Sequence, residues 1–313
     1  MIRETAEIPT AHVDDEDATT ELVRALRDIH GTRYGFDVRR WDGQRVIGSA
    51  DDRVSHTVVI ESDRSSVTVR AGDPVLGAPA EGPYRGAGDR FSTATDTHTV
   101  AIQPGDVITV GPEEEPVELT GSGTAFEVRT ESTPYPAPRF AFLRNVPDEV
   151  AGCAEYEGAF RREVLPPEVS DEEGNARGTN RVNVHTLDMR VDRDPEPVQH
   201  CHAPVSAGGG RRVAHTETAI VLDRSVYGLP PVEGSEEHVR IFCRPREDPT
   251  DWFDLSVEPG SIVVTPATEN RVYGHCFRNA FAALVAVPSF TAPLAEIGTD
   301  RDRSGETHRK YHE

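Results

Sequence analysis

The sequence predicts an all-β protein: two barrel units behind one short helix, closed by a polar tail. Three observations carry this reading. Short β-branched runs, separated by Gly, Pro, Asp and Ser, recur along most of the chain. Two distant stretches, "VAIQPGDVITVGP" and "LSVEPGSIVVTPA", share one pattern of strand, Pro-Gly turn, strand and Pro, a weak internal repeat. Clear helical periodicity occurs near the N-terminus, in "ATTELVRALRDIHG".

In that helix Leu22, Val23, Leu26 and Ile29 recur at helical spacing, Thr residues stand at its start and Gly31 follows its end. The next runs, "SHTVVIES", "SSVTVRAG", "HTVAIQPGDVITVGP" and "GTAFEVRTE", are the strands of the first unit, residues 1–135 with the leading helix. A Pro at turn position i+1 followed by Gly at i+2 fits a type II reversal between two strands. The three prolines of "STPYPAPRF" read as a stiff connector, the start of a mixed region over 136–180. Strands resume in "RVNVHTLDMRVD", "HTETAIVLDRSVYG", "HVRIFCRP", "SIVVTP" and "FAALVAVPSF", which make up a second unit over 181–295. Residues 296–313 form the polar tail.

A chain of 313 residues is large enough for one big or two modest cores, and its 36% hydrophobic content lies in compact runs, as in a globular protein. Formal net charge is −21, from 54 acidic and 33 basic residues. Lys310 is the single lysine. The acids are dispersed, as on a solvated surface, and this balance disfavours nucleic acid and anionic membranes as partners. No apolar run reaches the roughly 18 residues a membrane span requires, and the acidic N-terminus lacks a signal-peptide core, so the expected location is the cytoplasm. Cys153, Cys201, Cys243 and Cys276 form no CxxC pair, which argues against a disulfide framework or a structural zinc knot.

The chemistry concentrates in the second unit. In "PVQHCHAP", His200 and His202 would share one face of a strand, roughly 6.6 Å apart along it, close enough to converge on one ion at about 2.1 Å each. Cys201 would point the other way, as a small buried filler. Downstream, "AHTETAIVLD" sets His215 and Glu217 on one face of an apolar strand, where a carboxylate is costly unless paired or bound to a cation. Then "YGHCFRNAF" supplies His275 and, four residues on, Asn279.

These residues resemble the cupin superfamily, whose motifs run G-x5-H-x-H-x3,4-E-x6-G and G-x5-P-x-G-x2-H-x3-N. Gly260 to Pro266 keeps the five-residue spacing of the second motif, completed by His275 and Asn279. His200 and His202 match the first, with Glu217 as its acid. The match departs in three places. Fourteen residues separate His202 from Glu217, the segment between Pro266 and His275 is long, and a closing glycine appears only at Gly228. The first insertion leaves His215 as an alternative ligand.

The resemblance covers residues 181–290 by motif and 45–130 by strand pattern. It implies two double-stranded β-helix (jelly-roll) barrels, with one divalent metal held by His200, His202, Glu217 and His275. That donor set suits Fe(II) first, or Zn, Ni, Mn or Cu, and leaves positions open for a bidentate oxygen ligand or O2. Glu217 and Asn279 are the candidate catalytic residues: the acid as a proton carrier, the amide as a group holding backbone or ligand. The implied function is a dioxygenase-like oxidoreductase on a small organic substrate. A sugar or hydroxy-ketone isomerase and a non-catalytic binding module are the alternatives.

Other features carry less. His56 and His98 stand alone in the first half, which therefore reads as a metal-free support or dimerisation unit. "SAGGGRR" joins two strands and reads as a loop at the barrel mouth, where Arg211 and Arg212 would meet an anionic group. His185 is a candidate supporting residue, and Tyr227 and Tyr273 are candidate pocket-lining residues. No Gly-x-Ser-x-Gly elbow appears, which disfavours nucleophilic hydrolysis.

Overall fold

In the computed structural model the described residues are 9–51, 53–76, 92–130, 138–143, 149–150, 159–163, 183–189, 205–206, 211–223, 238–245, 252–265, 271–278 and 281–293. The chain opens with β1 (Thr10–His12) and the helix α1 (Glu16–His30). The first unit follows: β2 (Tyr34–Ile47), β3 (Ser55–Asp63), β4 (Ser66–Val69), β5 (Pro74–Leu76), β6 (Ser92–Thr93), β7 (His98–Ala101), β8 (Val107–Val110) and β9 (Val117–Thr130), and after it comes β10 (Phe140–Ala141). The second contains β11 (Glu149–Val150), β12 (Ala159–Glu163), β13 (Asn183–Met189), β14 (Val205–Ser206) and β15 (Arg211–Leu222). It continues with β16 (His238–Pro245), β17 (Trp252–Ser256), β18 (Ser261–Thr265), β19 (Arg271–Arg278) and β20 (Phe281–Pro293). The protein is thus all-β with one α-helix among the described residues, and that helix is too short and polar to cross a membrane.

In the first unit β3 pairs with β8, β4 with β7 and β5 with β6, all antiparallel. Pairs nested in this way are a long hairpin folded back on itself, the double-stranded β-helix or jelly roll. The second unit repeats the scheme. β3 lies between β8 and β9 as β15 lies between β18 and β20, and β4 pairs with β7 as β16 pairs with β17. The expected type II turns anchor both copies. Asp106 N–H donates to Gln103 O at 3.0 Å and Ser261 N–H to Glu258 O at 3.0 Å, with Gly105 at φ +84° and Gly260 at φ +92°.

The units exchange strands. β1 precedes the first unit yet pairs with β18 of the second, Ala11 opposite Ile262. β10 follows the first unit and pairs with its β8, Ala141 opposite Val107. Counted from the two turns, Val107 and Ile262 are equivalent, and therefore so are Ala141 and Ala11. The last residues of the Pro-rich stretch, Arg139 and Phe140, thus belong to this pairing: Thr109 N–H donates to Arg139 O at 2.9 Å.

Alternation along these strands produces two cores. Val58, Ile60, Ile108, Val110, Leu119 and Ala125 face the interior of the first barrel. Val59, Val107, Phe126 and Val128 face outward, onto Ile220, Leu222, Ile262, Val264, Ala283 and Val285 of the second unit. Helix α1 contributes Leu22 and Leu26 to this seam. It begins two residues before the expected start, because Asp15 rather than a threonine caps it, accepting Ala18 N–H at 2.9 Å. Gly31, at φ +66°, ends it by donating its N–H to Arg27 O.

At the seam His12 is clamped. Its Nδ1 accepts Asp14 N–H at 3.1 Å, so Nε2 carries the proton and donates to Pro259 O at 3.0 Å. A Cβ on Gly260 would stand 2.7 Å from that Nε2. Leu26→Ala removes a fully buried contact common to both units and is expected to cost about 2–5 kcal/mol in urea unfolding.

Candidate functional site

The expected metal constellation falls only partly within the described residues; His200, His202 and Asn279 lie outside them. Glu217 is on β15, in register with Thr265 of β18 and Ala286 of β20. His275 is on β19, opposite Ile241 of β16, in the three-stranded sheet β17-β16-β19. His215 is also on β15, opposite Pro288, next to a register shift between Ala214 and His215. The shift supplies an irregularity beside one of the two candidate ligands on this strand. Among the described residues no group of three or more His, Cys, Asp and Glu is arranged to hold a cation.

The internal repeat shows what the Glu217 position is. His56 pairs with Val110 of β8 as Glu217 pairs with Thr265 of β18. Val110 lies four residues after Asp106, and Thr265 four after Ser261, the closing residues of the two Pro-Gly turns. His56 and Glu217 are therefore equivalent positions. In the first unit this position is not filled by packed aliphatic core. His56 is buried at one end of the barrel, and its Nδ1 lies 2.7 Å from Glu127 Oε1; since the ionised carboxylate only accepts, Nδ1–H donates. The other oxygen, Oε2, accepts from Arg39 Nε, which also lies 3.4 Å from Asp37.

The strands explain this grouping. His56 shares its face with Val58 and Ile60, Glu127 shares its face with Ala125, and Arg39 shares its face with Trp41, all on the barrel-core side. Burial favours the neutral acid at Glu127, but the His56 hydrogen bond and the Arg39 guanidinium outweigh it and hold the carboxyl below its ordinary range. The cluster lines a cavity of about 230 Å³ together with Arg45, Val46, Ile47, Gly48, Val54 and Arg129. Sequence reading left His56 without an acid partner, because Glu127 lies 71 residues away and only the β3–β9 pairing brings it near.

A second buried carboxyl behaves in the opposite way. Glu61 is the extra residue of a β-bulge, between Ile60 and Ser62, and turns toward the seam. Thr124 Oγ1 donates to it, and Ser62 Oγ stands by Thr124 Oγ1. Desolvation by burial dominates these hydrogen bonds and raises its pKa.

The signs of the two predictions differ. Glu127 has a depressed native pKa, so its contribution is present above the ordinary carboxylate range and is lost as pH falls through the native value. Glu127→Gln should therefore flatten the acid limb of the stability–pH curve and cost on the order of 2–3 kcal/mol at neutral pH, Arg39 being partly exposed. Glu61 has a raised native pKa, so its favourable term exists only in acid and is lost as pH rises through the native value. Glu61→Gln should raise the melting temperature at pH 7, and the gain should vanish in acid; calorimetry across pH measures both.

No protein-family model matches the chain, and no curated protein does. Among solved structures it is similar to an IolB-like protein from Salmonella typhimurium, at 12% identity and TM-score 0.47 over 90% of each chain. It is also similar to Lactobacillus farciminis oxalate decarboxylase in its formate complex, at 9% identity and TM-score 0.41, covering 88% of this chain and 86% of that one. A mutant of salicylate 1,2-dioxygenase from Pseudoaminobacter salicylatoxidans gives 9% identity and TM-score 0.40, covering 83% and 75%. By its own nested strand pairing, the chain has the double-stranded β-helix fold that its resemblance to the cupin superfamily implies.

Proposed function

We propose that the chain is a metal-dependent enzyme of cupin type, a dioxygenase-like oxidoreductase on a small organic substrate, with its centre in the second unit. The observation that supports this reading most is the position of Glu217. It sits where the repeat, in its first copy, sets a polar side chain at the end of the barrel beside a cavity rather than in packed aliphatic core. A carboxylate at the equivalent place of the second barrel fits a cation ligand, since an acid on an apolar strand is costly unless paired or bound to a cation.

His200, His202, Glu217 and His275 would hold the ion, one carboxylate and three imidazoles, a set that suits Fe(II). When bound, the cation supplies Lewis-acid polarisation of substrate oxygens and, as iron, redox chemistry with O2. The chain's own part is to orient the substrate and handle its proton. Glu217 is the candidate proton carrier, and Asn279 the candidate group fixing ligand or backbone. The substrate is a small molecule from solution, since a net charge of −21 disfavours nucleic acid as a partner.

Elemental analysis of untagged protein, purified without added metal, tests this. About one equivalent of iron per chain is expected, falling to near zero in His275→Ala and Glu217→Gln, with O2 uptake on a productive substrate. Zinc, nickel or manganese without O2 uptake would replace the oxygenase reading by an isomerase one. Absence of any metal, or full stoichiometry in both variants, would overturn the site.

A further inference from the structure

The charge around the cavity of the first unit is opposite in sign to that of the chain as a whole. The chain carries a net −21, yet three arginines and a histidine surround this space with one lining carboxylate, Glu127. Glu127 is already committed to His56 and Arg39. Neither Arg45 nor Arg129 makes an ion pair among the described residues, and both line this cavity. Two guanidinium groups thus line a shared cavity without a carboxylate partner of their own among the described residues.

The site is also shaped. Arg129 lies against the backbone at Gly35, where a Cβ would stand 3.1 Å from its Nε. Gly48, at φ +76°, closes the wall so tightly that a Cβ there would meet Val110 at 2.7 Å. The rest of the lining is aliphatic: Val46, Ile47 and Val54. An aliphatic lining beside arginines that make no ion pair among the described residues matches a ligand with both a carbon skeleton and a negative charge. The volume, about 230 Å³, lies below the roughly 300–1,000 Å³ of pockets for drug-sized molecules.

We infer that the first unit binds a small organic acid, its carboxylate met by Arg45 and Arg129 and its aliphatic part packed on Ile47 and Val54. The fork geometry of guanidinium suits a carboxylate, and the aliphatic wall favours an organic acid over inorganic phosphate. This site is separate from the second-unit metal constellation and does not depend on it. The first barrel is then a ligand-binding unit and more than a support.

Titration calorimetry tests this with succinate as the probe, succinamide as its neutral analogue and inorganic phosphate as a comparison. Succinate should bind, succinamide should not, and phosphate should bind more weakly. Arg45→Gln and Arg129→Gln should each weaken succinate by about tenfold or more while leaving far-UV circular dichroism unchanged. His275→Ala should bind succinate as the parent does, which separates this site from a metal-held one. If Arg129→Gln does not fold, Arg45→Gln, on the half-exposed end of β2, carries the test. The inference is overturned by no heat with succinate, by equal binding of succinamide, by phosphate binding as tightly as succinate, by folded arginine variants that bind normally, or by loss of binding in His275→Ala.

Discussion

The structure depends on a reciprocal exchange of strands across one apolar seam. β1 enters the chain ahead of the first unit and completes the sheet of the second, while β10 completes the first. Each covers a strand, β18 or β8, that would otherwise present an open edge of unpaired backbone groups. Their equivalent residues Ala11 and Ala141, and Val13 and Leu143, enter the same core. With α1 packed alongside, neither unit retains a complete hydrophobic face when the other is removed.

Fixing the seam also fixes where polar chemistry can sit. Residues of β3, β8 and β9 that face the seam are Val59, Val107, Phe126 and Val128, so their neighbours one step along must face the barrel interior. His56 and Glu127 occupy that interior face, beyond the aliphatic layer of Val58 and Ile60, at the end of the barrel. In the second unit the same register position holds Glu217. One scaffold thus sets a histidine in one copy and a carboxylate in the other, at matched points. Divergence of the two ends needs only side-chain changes, and the strand pairing stays common to both.

Much of this was legible in the sequence where local chemistry and global fold agree. The two Pro-Gly turns revealed both the repeat and its register, because a type II reversal demands those residues in that order. Helix α1 was legible from Leu22 and Leu26, though Asp15 proved to be its cap. The long strand β2 was not anticipated. Its Asp42-Gly43 carries turn chemistry in mid-strand, yet Gly43, at φ +105°, lies opposite Gly121, at φ +127°, and the ribbon continues through both. A Cβ on Gly121 would meet Arg64 O at 2.4 Å, so the close approach of the β3–β4 connection explains that glycine. The His56–Glu127–Arg39 cluster was hidden for another reason. Its members come from three strands, and no local spacing links them, whereas the pair His200 and His202 is a local pattern, two residues apart in sequence.

If the seam is the common core of both units, they must unfold together. The chain has two tryptophans: Trp41, packed against the first barrel's core, and Trp252, on β17 of the second unit. Urea unfolding of Trp41→Phe and Trp252→Phe, each followed by its remaining tryptophan, reports on one unit at a time. One transition, superimposed for the two variants after correction for their own stabilities and coincident with far-UV circular dichroism, is the predicted result. Two separated transitions, with the second unit melting while the first remains folded, would contradict the account.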